Sequence, residues 1–328
     1  MSIIGNTTLQ GSSGITISSS ITPSSASPSL TLNAGNNPLT ISSLGSSANP
    51  FGALNIKALS IALGGDLYSS SSIKIDSPIT ISKDTKINSA GVDGLILTKP
   101  VTVANGSGAP ALTLNATSAG AVDVNTLGTD TSPLGTVSLS GNHVYLSGNI
   151  ASSASVAISG PVMLFVSSTL RGDTGITLDQ DLSPNAGSVD LSLKASNGTI
   201  SVKNLGTDTS PLNNISIVSA GPIEPGNVIC NGGVELSGTT ITLGSNITAS
   251  SYVKITNTDL LTISSGTLNL TGDFTQSGTG AVSLAASIVA SGSISFAGAL
   301  TISGSTTLKG SKGVVISALL VLNLIRRI

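Results

Sequence analysis

The chain has 328 residues, of which 58 are Ser, 36 are Thr and 38 are Gly, so these three small types make about two-fifths of it. Charged residues are 9%, aromatic residues 2%, Trp is absent, and the formal net charge is −2. That balance argues against nucleic-acid binding, which relies on Lys and Arg to neutralise phosphates. It also argues against an aromatic-rich globular enzyme core. The 39% of hydrophobic residues, nearly all Val, Ile, Leu and Ala, argues against disorder.

Repeats come first in chain order. Leu44-Gly-Ser-Ser-Ala-Asn-Pro-Phe51 returns as Leu127-Gly-Thr-Asp-Thr-Ser-Pro-Leu134, and then unchanged as Leu205-Gly-Thr-Asp-Thr-Ser-Pro-Leu212. The interval is about 80 residues each time. Leu44 to Ile87 aligns without a gap onto Leu127 to Leu170. Downstream, Leu146 and Val156 match Leu243 and Val253, so the third copy has gained a short insert around Ser219 to Gly238. That gain predicts an elementary step of about 20 residues, four to the long unit. The units then lie near 5–87, 88–170, 171–268 and 269–316.

Short apolar-polar-apolar triplets fill the units: Leu112-Thr-Leu114, Val122-Asp-Val124, Val137-Ser-Leu139, Val144-Tyr-Leu146, Val156-Ala-Ile158 and Ile176-Thr-Leu178. Alternation turns the outer two side chains to one face and the middle one to the other. Gly, Asn, Asp, Ser and Pro clusters between them read as turns. The pattern predicts an all-β chain, one parallel β-solenoid over residues 1–316. About sixteen rungs stacked at roughly 4.8 Å would span about 75–80 Å. A string of sandwich domains of about 80 residues is the competitor, but a sandwich does not gain an insert mid-domain with both flanks in register.

The run Leu127-Gly-Thr-Asp-Thr-Ser-Pro-Leu-Gly-Thr-Val-Ser-Leu139, with the following triplets and Ser159-Gly-Pro-Val162, resembles the repeats of very large bacterial surface proteins. These are the filamentous-haemagglutinin-like exoproteins and related β-strand-repeat adhesins. The resemblance implies a right-handed parallel β-helix and a non-catalytic, structural and adhesive role. It also implies a place outside a Gram-negative cell or on its outer membrane, with a host receptor or glycan as partner.

Candidate chemistry is sparse. His143, the only histidine, reads as a turn residue, and Cys230, the only cysteine, as a small inward hydrophobe beside Val228. No metal site and no cofactor is expected from these residues. Asp130 and Asp208 recur in the repeated segment and read as turn formers. Arg171-Gly172-Asp173 is the tripeptide that integrins recognise, and its repeat equivalents place it in a turn between strands. Asp179 and Asp181, near Arg171 and Asp173, supply the alternative reading of a polysaccharide lyase or hydrolase using clustered carboxylates. Outward Thr113, Thr177 and Thr242 alternate with Asp123, Ser138, Tyr145 and Ala157 in neighbouring triplets, too irregular for an ice-binding array.

Neither end carries a readable address. The amino end lacks a basic region followed by an apolar stretch. Val314 to Leu322 is far short of the roughly 18–20 apolar residues of a membrane span. The repeat pattern is expected to fail near Ile316, and Ala318 to Ile325, within the apolar tail 317–328, to form a short helix over the last rung. Both ends fall mid-unit, which predicts a piece of a longer exoprotein, or a truncated reading frame, that self-associates through uncapped rungs.

Overall fold

Alternating apolar and small polar residues send every second side chain inward, and the triplets that obey this rule become strands. The computed structural model describes residues 2–24, 26–117, 119–303 and 305–323. All regular structure in them is β-strand, two to five residues long, and the strands pair in parallel. The fold is a parallel β-solenoid, as the alternation predicts. The chain divides into two compact units, Met1–Met163 and Leu164–Ile328.

In the first unit, one face stacks Thr7, Leu30, Leu54, Ile73, Leu95, Val122 and Val144 on successive coils. A second stacks Ile15, Leu39, Ile61, Ile79 and Val101. A third stacks Thr85, Leu112, Val137 and Val156. Each coil therefore holds three strand positions. The chain length between partners is unequal, and the step from Leu95 to Val122 is half as long again as that from Ile61 to Ile79. Turns absorb the difference. The longest coil carries Asn105-Gly-Ser-Gly-Ala-Pro110, with Gly106 and Gly108 at positive φ. In the second unit Ser168, Leu191, Ile215, Val234, Val253, Phe274, Ile294 and Val314 stack in the same way.

The core is thin and aliphatic. Leu30, Leu54, Ile73, Leu95 and Val122 are fully buried, each contributing about 1.5–3 kcal/mol. Three of the four phenylalanines lie inside, and Phe274 and Phe296 from neighbouring coils meet at 5.2 Å between ring centres. Most buried polar groups among the described residues are paired, Thr306 Oγ1 being the exception. Gln276 Nε2 donates to Asn257 Oδ1 and to the Gly278 carbonyl (both 2.8 Å). Its Oε1 accepts from the backbone of Ala297 and Gly298 (3.0 and 2.9 Å). A half-satisfied amide here would cost about 1–3 kcal/mol.

The thrice-repeated segment replaces one strand by a loop anchored at two buried residues. Leu127 bridges Val101 and Ile150, Leu134 bridges Ser152, and Gly128 between them is left-handed (φ +68°). Leu44 bridges Ile21 and Leu67 with Phe51 on Ser69, and Leu205 bridges Leu182 and Val228 with Leu212 on Cys230. Thr129 Oγ1 and Thr207 Oγ1 accept from the backbone N–H of Ser132 and Ser210 (both 3.0 Å), so threonine ties the loop together. Asp130 and Asp208 stand exposed at its tip.

The long unit is not four coils. Among the described residues ten strands separate the first loop from the second, and ten the second from the third. Each loop therefore falls eleven strand positions after the last, which at three per coil is three coils and two strands. Consequently Leu44 belongs to the face of Leu67 and Ile87, whereas Leu127 belongs to the face of Val101.

Residues 215–233 form one whole coil, with Ile215 in register with Val234 and Val234 with Val253. The corresponding stretch of the first unit steps once, from Val137 to Val156. The added residues are therefore one coil, and Cys230 lies buried in it beside Val228. The tail differs from expectation. Leu320–Asn323 is a strand in register with Leu300–Ser303, so the solenoid continues past Ile316 and no helix forms over these residues. Ile325 lies outside the described residues.

Candidate functional site

In the second unit, Asp181, Asn204, Asn227, Asn246 and Thr267 each precede a buried residue of one stacked row: Leu182, Leu205, Val228, Ile247 and Leu268. Their side chains project outward at a turn and link coil to coil. Asn204 Nδ2 donates to Asp181 Oδ1 (2.9 Å), and Asn227 Nδ2 and N–H donate to Asn204 Oδ1 (both 3.0 Å). The N–H groups of Asn246 and Thr267 donate to Asn227 Oδ1 (3.0 Å) and Asn246 Oδ1 (2.8 Å). The ladder fixes the side chains of Asp181, Asn204, Asn227 and Asn246, because each accepts from the backbone or amide of the next coil.

One residue beyond the buried row, Ile229, Thr248 and Asn269 form a second outward row in register. Residues two apart in a strand lie about 6.6–6.8 Å from each other, so the rows flank a trough along the stacking direction. Gly206, Thr207 and Asp208 of the repeated loop join the lining, and the cavity measures about 490 Å³. That volume falls in the range of small-molecule sites, but the walls are amide, hydroxyl and carboxylate rather than apolar. The Thr248 hydroxyl, the Asn269 amide and the Asp208 carboxylate make no hydrogen bond among the described residues.

The residues singled out from sequence lie as follows. Arg171 and Gly172 end the strand Ser168–Gly172 rather than forming a turn, and Gly172 is buried. Arg171 Nε and Nη2 grip Asp173 Oδ1 and Oδ2 (2.8 and 2.7 Å), and Asp173 also accepts from Ser196 Oγ (2.9 Å). The Arg171 hydrogen bond, strongest of these effects, holds the Asp173 carboxyl below the usual range. Asp179 and Asp181 are exposed, and of the two Asp181 lines the trough. His143 is half-buried at a strand entrance and stacks on Tyr145 with ring centres 5.8 Å apart. Burial raises the Cys230 thiol to about 11, so it is protonated at neutral pH and a poor nucleophile. Among the described residues no three His, Cys, Asp or Glu side chains gather in a position to hold a metal ion, and no helix is long and apolar enough to cross a membrane.

Two features escaped sequence reading. The trough needs the coil phase, since the interval from Asn204 to Asn227 differs from that between Asn227 and Asn246. In the first unit, Thr16, Thr40, Ala62, Thr80 and Thr102 form an outward row, Thr80 and Thr102 with hydroxyls 3.3 Å apart. That row is invisible without register, because the step from Ala62 to Thr80 is shorter than any other in it.

No protein-family model matches the chain, and neither a curated protein nor a solved structure matches it significantly.

Proposed function

We propose that the chain is a non-catalytic, adhesive repeat segment of a bacterial cell-surface or secreted protein, acting at the outer surface of a Gram-negative cell. The observation that carries this reading is the use made of its acids. Asp173 is clamped by Arg171 and Ser196, Asp181 braces Asn204, and Asp190 accepts from Asn213 and Asn214 on the next coil. Carboxylates spent as struts between coils suit a scaffold that presents a long polar surface. The trough is the concave part of that surface, and we assign attachment to it rather than to Arg171-Gly172-Asp173, whose charged ends hold each other. Beads coated with the folded chain should adhere to epithelial cells or to a bacterial lawn, and beads coated with urea-unfolded chain should not. Equal adhesion by both would remove the reading.

The lining of the trough by Asp181 favours a second reading, a polysaccharide lyase or hydrolase with Asp179 and Asp181 as its acids. Incubation with oligouronates and calcium, followed for new reducing ends or for absorbance of unsaturated products, separates the two. Turnover abolished by Asp181→Asn would favour the enzyme.

Self-association belongs to the same proposal. Among the described residues Leu320–Asn323 pairs only with Leu300–Ser303, and Leu320 and Leu322 are 42% and 57% exposed. A parallel strand edge with apolar side chains accepts a further coil, and in the isolated chain a second copy can supply one. Sedimentation of the isolated chain should show concentration-dependent association, lost on Leu320→Lys with Leu322→Lys. A monomer at all concentrations would count against it.

A further inference from the structure

We propose that the trough of the second unit binds a neutral oligosaccharide chain lying along the stacking direction, its hydroxyls met by Thr248, Asn269, Asn246 and Asp208. The inference rests on the adhesive reading and names its ligand class. Coils repeat at about 4.7–4.9 Å, so an extended ligand in the trough meets a fresh pair of polar groups at each such step. A pyranose ring is close to that length and offers hydroxyls at every unit. An extended peptide advances about 3.3–3.4 Å per residue and falls out of phase within two coils. It also brings backbone donors and acceptors, whereas the backbone flanking the trough is already engaged between coils, as in Val228 N–H to the Asn246 carbonyl (2.9 Å).

Charge narrows the class. Asp181 and Asp208 both line the trough and no Lys, Arg or His does. A uronate or sulfated chain would face uncompensated carboxylates, so neutral sugars are favoured. The Thr248 hydroxyl and the Asn269 amide offer donors and acceptors that nothing among the described residues uses, and Ile229 gives the C–H face of a ring an apolar contact. Asn204, Asn227 and Asn246 are locked in the ladder, so that wall is set before any ligand arrives and side-chain freedom is lost on binding mainly at Thr248, Asn269 and Asp208. With no aromatic ring in the lining, single-site affinity is low and attachment depends on many copies.

The test is an array of multivalent neutral hexose oligomers beside oligouronates and sulfated oligosaccharides, probed with the folded chain. Neutral oligomers of four or more units should bind, and oligouronates at least tenfold more weakly. Thr248→Val with Asn269→Ala should lower neutral binding at least tenfold while the β-sheet circular dichroism and urea midpoint stay unchanged. Both residues are exposed, so folding should survive. Asp208→Lys provides an independent arm and should raise oligouronate binding. The proposal is overturned if anionic chains bind better than neutral ones, if no oligosaccharide binds, or if the double variant binds as wild type. Cell adhesion without glycan binding would remove the trough's ligand and leave the adhesive reading standing, whereas loss of both would remove the adhesive reading.

Discussion

Gly128 shows how tightly one residue can be constrained by the coil above it. Its φ is +68°, and a Cβ there would meet the Ala151 carbonyl oxygen, with Leu134 N at 3.0 Å. Gly35 has a similar φ of +57° with nothing within 4 Å. Gly35→Ala should therefore cost only the left-handed strain, about 1–2 kcal/mol. Gly128→Ala should cost at least twice as much, because the neighbouring coil must also move. Equal shifts in urea midpoint would show that the close approach carries no energy. Cys230 takes the place that Ser152 holds under Leu134 and Ser69 under Phe51. There Ser152 donates to the Gly135 carbonyl and accepts from Ala154 N–H. Cys230→Ser should accordingly change stability by less than about 1 kcal/mol, where a buried hydroxyl without partners would lose more. Asp123 sits half-buried on an outward row between Ile96 and Tyr145, and burial raises its carboxyl above the usual range. A raised acid favours the protonated fold, so this residue destabilises the chain above its folded pKa and the penalty fades as pH falls through it. Asp123→Asn should stabilise the protein at pH 7 and have little effect at pH 3 in paired urea titrations. Asp190 runs the other way. The Asn214 N–H holds it low, so its contribution is present above the ordinary aspartate pKa and lost as pH falls through the lowered value.

Strands and coils obey a counting rule that the sequence carries openly. Deleting Ile215 to Gly233 removes three strand positions and brings Val234 into the place of Ile215, against Leu191 on one side and Val253 on the other. Cooperative unfolding should persist, with a smaller urea m-value because less surface is exposed. Deleting only Ile223 to Gly233 removes two positions of three, so every later strand meets the coil before it one face out of step, with turn set against strand. That variant should have a lower urea midpoint than the whole-coil deletion, because the mismatch sits at the junction. If the two deletions behave alike, the three-position coil is not the unit of stability. The extra coil in the third copy was legible because repeated leucines bracket it. The length of the long unit misled, since an interval of about 80 residues divides evenly by a step of about 20. Coil length varies by half with its turns, so residue counts conceal strand counts. The tail misled for a different reason. Val314, Leu320 and Leu322 keep the alternation, but a run of apolar neighbours looks equally like a buried helix when its partner strand is unknown.

At the scale of the molecule, fold class was readable because a solenoid writes its inward row into the chain every few residues. The candidate site was not, because Asn204, Asn227 and Asn246 become a ladder only once their coils are in phase. Arg171 and Asp173 looked like a presented motif until geometry turned them toward each other. The loop count carries a further consequence. Eleven and three share no factor, so the repeat runs against the coil like the scale of a vernier, slipping by one face at each recurrence. A flat partner laid against the first unit can touch the Leu44–Phe51 loop or the Leu127–Leu134 loop, but not both at once. Duplication of such a cassette therefore does not build a stripe of identical epitopes down one side. Within a unit it sets successive copies on different faces, so that each added copy would turn the same loop to a new direction of approach.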